Sequence, residues 1–423
     1  MSEPSKKLEQ KEDGELEPGF KMTELGPLPV DWDVVRLGAV FMPVNKKERQ
    51  VIIRDSKIYH LLTVRLYAKG ITLRAIEPGS RIGVKYLYRT EPEDFVFSKI
   101  DARNGAWGFV SSELAGALVS GDFPILKLDK IKGDQYFIKF LLGRPVVWEP
   151  LRDIAVGTTH RRRVQIPQFL DIRIPLPPIA EQRQIAHVLN VVQHGVEETG
   201  KVIDAARELK KSLMRHLFTY GPVPYDQVDN VPLKETEIGP MPERWDVVRL
   251  GEIARILYGK AKPQTKGTIP AIGSGGVYDW VDTPLAEYTT LIIGRKGTAG
   301  KVWYVQTPCW PSDTTFYLEW KQPIDAIFLY GHFLLSPLSG EHAKTTLPSL
   351  QRPDLENRLI PLPPLPEQQE IARILQAVDR KIEAEENRKR ALEAQFKTLL
   401  HYLMTGKIRV KEITEAKVMN SYE

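Results

Sequence analysis

The segment IPLPPIAEQRQIAHVLN at residues 174–190 decides the fold, because a close copy, IPLPPLPEQQEIARILQ, follows at residues 360–376. Ten of the 17 positions are identical. A second pair precedes them: ELGPLPVDWDVVRLGAV at residues 24–40 and EIGPMPERWDVVRLGEI at residues 237–253 share 11 of 17 positions. The residues between the matched segments barely resemble each other, so the pattern predicts two units with similar frames and unlike bodies.

Each IPLPP segment leads into the pattern of a long amphipathic helix. Glu181 and Glu367 lie near the helix starts, where a negative charge suits the helix dipole, and Gly221 and Gly406 follow the last turns as stop signals. Apolar residues recur at alternating steps of four and three, which is typical of a seam between helices. The predicted seam residues are Ile185, Leu189, Val192, Val196, Ile203, Leu213 and Leu217 in the first helix, and Ile371, Leu375, Val378, Ile382, Leu392, Phe396, Leu399 and Leu403 in the second.

A helix of about 40 residues is roughly 60 Å long, and one with a single apolar stripe is not stable alone in water. We expect the two helices to pair antiparallel within the chain, because each leaves its own globular body. Such a pair would hold the two bodies a fixed distance apart. The alternatives are that each helix packs on its own body, or that the chain dimerises through the helices.

Both bodies have the pattern of mixed α/β structure rich in strands. In the first body, residues 61–67, 81–88 and 95–100 have the composition and alternation of strands. In the second body, strands are predicted at residues 289–293 and 302–305, around a glycine-rich loop. The predicted fold class is α+β: two mixed α/β bodies alternate with two long helices that pair as an antiparallel coiled coil, with internal pseudo-twofold symmetry.

The tryptophans at the head of the two WDVVRLG segments, Trp32 and Trp245, are expected to pack in the cores of their bodies. The predicted boundaries follow from the repeats and the helix patterns. They are a disordered charged tail at 1–21, body 1 at 22–173, a central helix segment at 174–220, a linker at 221–232, body 2 at 233–359, a C-terminal helix segment at 360–406 and a C-terminal tail at 407–423.

The composition sets only broad limits on function. The 423 residues are 42% hydrophobic and 27% charged, so each body can bury a core. A net charge of +5 permits nucleic-acid binding without requiring it. Cys309 is the single cysteine and no 18-residue apolar run occurs. We therefore expect no internal disulfide, no membrane span and a reducing, cytoplasmic location.

No stretch of the sequence has the full pattern of an active site. The glycine-rich loop at residues 294–300 resembles a phosphate loop, but its spacing is one residue too long and Val302 replaces the metal-binding Ser or Thr. An acid–acid–lysine set that begins at Asp313 matches metal-dependent nucleases only loosely. Asp313 and its neighbours are therefore expected to be structural or turn-forming, and neither a catalytic residue nor a metal site is predicted.

Basic residues in three loops, together with one asparagine, are the candidates for contact with DNA. Arginine forks suit phosphates and guanine edges, and glycines let backbone amides approach a phosphate. The alternative for each candidate is that it is an ordinary polar side chain exposed to solvent. The candidates are Lys99, Arg103 and Asn104 at a turn of body 1, the run Arg161, Arg162 and Arg163, and Arg295, Lys296 and Lys301 around the glycine-rich loop of body 2.

The repeated frames and their order resemble the specificity subunits of Type I restriction–modification enzymes. The resemblance rests on GPLPVDWDVVRLG and GPMPERWDVVRLG, on the two IPLPP helix starts, and on the body–helix–body–helix order from about residue 22 to about residue 410. KIDARNGAWG at residues 99–108 and LIIGRKGTAGKV at residues 291–302 are similar to stretches of that family's target-recognition domains.

The resemblance implies a DNA-reading subunit without catalysis of its own. Each body would be a target-recognition domain for one half of a two-part DNA site, while the helix pair would set the spacer and dock two adenine methyltransferase (modification) subunits. No cofactor is expected on this chain; S-adenosylmethionine, ATP and Mg2+ would be bound by the modification and restriction/translocase subunits. Two alternatives stay open: the DNA-reading subunit of a related two-part-site system without a translocase motor, and a coiled-coil scaffold without DNA function.

Overall fold

The structure, a computed structural model, describes residues 16–154, 163–338 and 349–410. It divides into two compact units. Unit 1 contains the described residues up to Glu197 and from Arg390 onward, and unit 2 contains those from Glu198 to Lys389. The division falls inside both long helices, whereas the boundaries predicted above kept each helix whole. Each unit therefore contains one body, the start of one long helix and the end of the other.

Unit 1 consists of short strands and helices around an aromatic core, together with parts of the two long helices. Its strands are β1 Phe20–Thr23, β2 Gly26–Pro29, β3 Asp33–Arg36, β4 Phe41–Pro43, β5 Gln50–Ile52, β6 Ile58–Val64, β7 Ile71–Pro78, β8 Tyr86–Arg89, β9 Phe95–Phe97, β10 Trp107–Phe109, β11 Leu118–Val119, β12 Ile125–Leu128 and β13 Arg173–Leu176. Its helices are α1 Lys46–Arg49, α2 Gln135–Leu142, α3 Pro145–Trp148, α4 Leu151–Ile154, α5 Ile166–Leu170 and the first part of α6 Ile179–Tyr220.

Two sheets form the body of unit 1, with strand orders β5-β8-β11-β6-β7 and β10-β9-β12-β4. The aromatic core holds them against α5, where the rings of Phe97 and Phe169 stack with centroids 4.1 Å apart. The strand predicted at residues 81–88 was wrong at its start, because Gly79–Arg81 form a 3-10 turn and β8 begins only at Tyr86.

Unit 2 has the same kinds of element in a smaller body. Its strands are β14 Leu233–Lys234, β15 Met241–Pro242, β16 Asp246–Arg249, β17 Ala254–Tyr258, β18 Ile269–Gly273, β19 Gly276–Val281, β20 Thr290–Gly294, β21 Val302–Val305, β22 Trp310–Pro311, β23 Thr315–Trp320 and β24 Leu359–Leu362. Its helices are α7 Leu250–Ile253, α8 Ala326–Leu335, α9 Arg352–Glu356, the end of α6 and the first part of α10 Leu365–Met404. The sheet orders are β17-β23-β20-β21 and β19-β18-β22.

The WDVVRLG and IPLPP segments form the same small sheet in each unit. β3 pairs antiparallel with β13, with Asp33 opposite Leu176. β16 pairs antiparallel with β24 in the equivalent register, with Asp246 opposite Leu362. The repeated sequence therefore encodes a repeated frame, and the divergent residues between the two strands form the body.

A tryptophan joins each frame to the helix that follows it. Trp32 and Trp245 are both 0% exposed, which confirms the prediction that they pack in the cores. The Nε1 of Trp32 donates to Oε2 of Glu181 at 3.1 Å, and the Nε1 of Trp245 donates to Oε2 of Glu367 at 3.0 Å. The buried indole thus fixes the first turn of α6 in unit 1 and of α10 in unit 2.

The glutamine after each of these glutamates ties the helix start to the body. Gln182 Oε1 accepts a hydrogen bond from the backbone N of Asp134 at 2.8 Å, and Gln368 Oε1 accepts one from the backbone N of Asp325 at 3.0 Å. Both aspartates cap a body helix, α2 or α8. In each case the glutamine Nε2 also donates to a carbonyl of the proline pair. The repeated Glu-Gln pair therefore has the same structural role twice.

Within unit 2, the end of α6 runs antiparallel to the start of α10. Arg207 pairs with Glu386 at 2.7 Å, and Lys210, one turn later, pairs with Asp379 at 2.5 Å. The partner numbers fall as the α6 numbers rise, which defines the direction. Within unit 1, a Cβ on Gly195 would lie 3.6 Å from the side chain of Leu392, so the glycine allows the two helices a close approach.

All the predicted seam residues are withdrawn from solvent to some degree. Seven are buried: Ile185, Leu189, Ile203, Leu217, Ile371, Leu375 and Leu403. The other eight are half-buried: Val192, Val196, Leu213, Val378, Ile382, Leu392, Phe396 and Leu399. The start of each long helix also packs into the core of its own body. The predicted α+β class with antiparallel long helices is confirmed, and packing of each helix on its own body is realised at the helix starts.

An arginine clamps the helix start in each unit, but from a different place in the sequence. In unit 2, Arg244 forks onto Glu367 with both distances 2.8 Å. In unit 1 the equivalent position is Asp31, and the guanidinium comes from Arg409, which bonds to Glu181 at 2.6 Å and to Asp31 at 2.7 Å. The clamp in unit 1 therefore joins residues that are 378 positions apart.

The prediction of a disordered N-terminal tail was wrong at its inner end, and the C-terminal tail begins against the core of unit 1. Phe20 and Lys21 were assigned to a disordered tail, yet they belong to β1, and Lys21 Nζ donates to the Val30 carbonyl at 3.0 Å. The C-terminal tail was predicted to begin at residue 407, yet Val410 is 8% exposed in the core of unit 1. Residues 1–15 and 411–423 lie outside the described residues.

Acid is expected to weaken both clamps. Burial acts to raise the pKa of Glu367, but hydrogen bonds from Arg244 and Trp245 outweigh it and hold the pKa below its ordinary value of 4.5. The hydrogen bond from Arg409 likewise lowers the pKa of Asp31. A carboxylate whose pKa is lower in the folded protein than in the unfolded chain stabilises the fold fully when the pH is above its unfolded-state pKa. This stabilisation is lost as the pH falls through its folded-state pKa. The melting temperature should therefore drop steeply below about pH 4.5.

Thermal unfolding of the chain between about pH 7 and about pH 3 measures this effect. Glu367→Gln is the matched variant, since it keeps the shape of the side chain and removes its titration. It should be less stable near neutral pH and lose less stability in acid. Parallel curves for the variant and the wild type would contradict the assignment of acid sensitivity to this clamp.

Candidate nucleic-acid interface

In unit 1, three cationic side chains lie around one carboxylate. Arg163 Nε is 3.2 Å from Asp122 Oδ1, and Arg163 Nη2 is 3.3 Å from Oδ2. The backbone N of Lys99 donates to the Asp122 carbonyl at 2.9 Å, and Lys46 Nζ donates to the neighbouring Gly121 carbonyl at 2.9 Å. Burial, and after it the nearby Lys99, lowers the pKa of Lys46. We call Lys46, Lys99, Asp122 and Arg163 the Lys99 cluster; its cations exceed its acids.

Arg103 and Asn104 lie in a 3-10 turn after β9 that supports an unusual loop. The Asn104 carbonyl accepts a hydrogen bond from the backbone N of Tyr67 at 2.8 Å. Tyr67 and Ala68 have φ angles of 60° and 52°, which is strained for residues other than glycine, and such strain concentrates at functional sites. Sequence reasoning missed Tyr67, which is 57% exposed, because the strand predicted to contain it ends at Val64.

In unit 2, the glycine-rich loop joins β20 and β21 as an antiparallel hairpin. A phosphate loop leads from a strand into a helix, so the hairpin supports setting that interpretation aside. Arg295 Nη2 donates to the Asp313 carbonyl at 2.9 Å, and its guanidinium lies 5.3 Å from the ring centre of Tyr258. Arg295 thus supports the hairpin, while Lys296 and Lys301 are exposed.

A shallow cleft of about 470 Å³ lies beside this hairpin. A Cβ on Gly297 would meet Ser274 Oγ at 3.3 Å, and one on Gly294 would lie 3.2 Å from Ser274 Cβ. The two glycines therefore let the hairpin approach the wall of the cleft. The lining residues, hereafter the unit 2 cleft, are Gly273, Ser274, Gly275, Gly276, Val277, Tyr278, Ser312, Asp313 and Thr314.

Strand β19 presents two aromatic side chains next to the unit 2 cleft. Tyr278 is 52% exposed and Trp280 is 51% exposed. Asp279, between them, pairs with Lys262 at 2.8 Å. Partial burial raises the pKa of Tyr278, so its hydroxyl stays protonated. Sequence reasoning missed these residues because GVYDWV reads as an ordinary strand, and the exposure of its aromatic side chains is set by tertiary packing.

The structure brings the predicted contact residues together in two groups. Lys99 and Arg163 share the Lys99 cluster, and Arg295, Lys296 and Lys301 share one hairpin. Arg161 and Arg162 lie outside the described residues. Within residues 16–154, 163–338 and 349–410, no group of three or more His, Cys, Asp or Glu side chains is placed to hold a metal ion. In the same ranges, no helix is both long and apolar enough to span a bilayer.

Comparisons with known proteins agree on one family. A family model described as the Type I restriction modification DNA specificity domain matches residues 242–394. The chain is 27% identical over 431 residues to the putative type I restriction enzyme MjaX specificity subunit of Methanocaldococcus jannaschii, covering 93% of this chain and 98% of that protein. It is also 27% identical to the MjaVIII specificity subunit of the same organism, covering 94% of this chain and 97% of that protein.

A solved structure has the same fold. The Type I restriction–modification system S subunit from M. genitalium superposes with a TM-score of 0.59 at 18% identity, over 91% of this chain and 98% of that one. At this identity the likeness concerns the fold alone. The repeated frames that the sequence predicted therefore occur in a fold already known from a subunit of such a system.

Proposed function

We propose that the chain belongs to the family of Type I restriction–modification DNA specificity subunits, which the family model over residues 242–394 and the relatives at 27% identity support, and that each of its bodies reads one half of a two-part DNA site. Body 1 would read one half and body 2 the other. The long helices would set the length of the spacer between the halves, because they connect the frames that carry the bodies.

One observation carries the proposal: two frames with the same strand register and the same Trp–Glu contact hold two unlike bodies. Two similar frames can bind two copies of the same partner, and two unlike bodies can read two different DNA sequences. We therefore infer that the frames and the long helices dock two adenine methyltransferase subunits, with restriction/translocase subunits joining that core. The chain itself would be non-catalytic and bind no cofactor, while its partners would supply S-adenosylmethionine, ATP and Mg2+.

The proposed DNA contacts follow from the charges and exposure in each unit. In unit 1, Arg103 and Asn104 lie in the turn that contacts the strained Tyr67 loop, and Lys99 belongs to the Lys99 cluster. The guanidinium of Arg163 already binds the Asp122 carboxylate, so Arg163 is better suited to positioning the cluster than to reading a base. In unit 2, Lys296 and Lys301 are exposed and would approach phosphates, while Arg295 supports their hairpin. Arg161 and Arg162, which directly precede Arg163 in the sequence, remain proposed DNA contacts.

The decisive experiment is a map of methylated adenines. The chain and its modification subunits are expressed in a host that has no adenine methylation of its own, and the genome is sequenced by a method that detects N6-methyladenine. We expect one gapped motif with two unlike halves. A continuous motif would contradict reading by two bodies, and a host without methylated sites, together with unchanged mobility of random duplex on a gel, would favour a scaffold.

A further inference from the structure

The unit 2 cleft contains one exposed carboxylate, that of Asp313, on the turn between β22 and β23. Building on the proposed function, we propose that Asp313 is a specificity-determining residue that accepts a hydrogen bond from the N4 amino group of a cytosine in the half-site read by body 2.

Basic side chains surround this carboxylate. Arg295 reaches the Asp313 carbonyl, and the backbone N of Lys296 donates to the Thr314 carbonyl at 3.2 Å. Lys262 pairs with Asp279, the neighbour of Tyr278, and Tyr278 lines the same cleft. On the other wall, Lys301 lies 4.1 Å from the ring centre of Trp303, whose ring packs on Gly276. Four cations and two acids, Asp279 and Asp313, thus lie on the segments around the cleft, and this excess of positive charge suits duplex DNA.

The Asp313 carboxylate is left unengaged by the described part of unit 2. Of the residues that the structure describes, none donates a hydrogen bond to it or pairs with it; only its backbone carbonyl is engaged, by Arg295. Phosphates repel an unpaired carboxylate, so on a DNA-binding surface it weakens sequence-independent binding. It can raise affinity only where the duplex offers a donor.

The chemistry of the major groove selects the base. A carboxylate only accepts hydrogen bonds. Cytosine presents an amino donor in the major groove, whereas adenine places the N7 acceptor beside its amino group and guanine presents acceptors only. A single carboxylate therefore favours cytosine over the other bases.

The turn that carries Asp313 is held firmly enough to position it. Ser312 Oγ and Thr314 Oγ1 are 2.7 Å apart, and the backbone N of Ser312 donates to the Ile272 carbonyl at 2.9 Å. Thr315 Oγ1 donates to the Ser312 carbonyl at 2.8 Å. These bonds fix both sides of Asp313 and leave its side chain directed to solvent, which is the arrangement that base readout needs.

The test uses the full chain in complex with its modification subunits and the wild-type motif from the methylation map. Binding is measured by competition among duplexes that carry every single base change in the half-sites. The variants are Asp313→Asn and Asp313→Ser, and the control is Glu287→Gln, an exposed acid of unit 2 outside the cleft. Thermal unfolding of each variant shows whether it folds.

We expect the wild type to prefer cytosine at one position of one half-site by roughly tenfold or more. Asp313→Asn should shift that preference toward adenine, whose N6 and N7 match an amide, and Asp313→Ser should abolish it. All other positions, and Glu287→Gln, should keep the wild-type pattern. If Asp313→Asn does not assemble, Asp313→Ser decides.

Three results would overturn the inference: no cytosine preference in either half-site, an unchanged preference in both variants, or an equal loss of affinity for every duplex by a folded variant. Each of them leaves the wild-type gapped motif in place. A failure of the proposed function is different, because the wild type itself would then show no gapped motif.

Discussion

Replacing Trp245 by alanine is expected to destabilise unit 2 by about 3–5 kcal/mol, the usual cost of deleting a buried tryptophan. The indole is fully buried, lies 6.4 Å from the ring of Phe328 in a T-shaped arrangement, and donates to Glu367. The substitution opens a cavity where the frame, α8 and the start of α10 meet, and it removes one of the donors that keep the glutamate charged. Calorimetric unfolding of the full chain measures the loss.

Two matched variants sharpen the test. Trp245→Phe keeps most of the buried volume and removes only the donor, so it should cost clearly less than alanine. Trp32→Ala makes the same change in unit 1 and should destabilise that unit instead. If Trp245→Ala stayed within about 0.5 kcal/mol of the wild type, as exposed substitutions do, the junction would depend on other contacts.

The frames were predictable from the sequence because their information is local and repeated. The IPLPP segments mark a strand and a helix start, and the stepped apolar residues mark a seam, so both long helices could be placed. The residue that completes the clamp of unit 1, Arg409, was not predictable, since no repeat partner or short-range pattern connects it with Asp31. Its predicted place in a tail reflected an absence of pattern alone.

The bodies were harder to predict for a related reason. Short strands with few residues on each face give weak periodicity, which is why the prediction at residues 81–88 included a 3-10 turn. The unit 2 cleft is assembled from two separated segments, residues 273–278 and 312–314, so no local motif describes it. Tyr278 and Asp313 have the same sequence signature as ordinary strand and turn residues, and only their shared position distinguishes them.

Inserting one heptad into both long helices should lengthen the DNA spacer without altering either half-site. The insertions follow Glu197 and Lys389, where the compact units divide, and continue the seam pattern. Seven helical residues add about 10 Å, or roughly three base pairs at about 3.4 Å each. The pairing survives because the seam repeats every seven residues. The map of methylated adenines should therefore show both original halves with a gap longer by about three base pairs.

A heptad inserted into α6 alone is the control, because it leaves seven residues of that helix without a partner. Methylation should then fall sharply, and the chain should unfold at a lower temperature. An unchanged gap in the doubly lengthened chain, or altered half-sites, would contradict the division of labour between helices and bodies.

The clamp between Arg409 and Asp31 also dictates an order of events during synthesis. Unit 2 is one continuous stretch, Glu198–Lys389, so all of its residues are synthesised before the last residues of unit 1. Unit 1 emerges first, yet it waits for Leu403, Arg409 and Val410. At about 5–20 residues per second, its core remains open for some tens of seconds, so the half made first is the half that matures last.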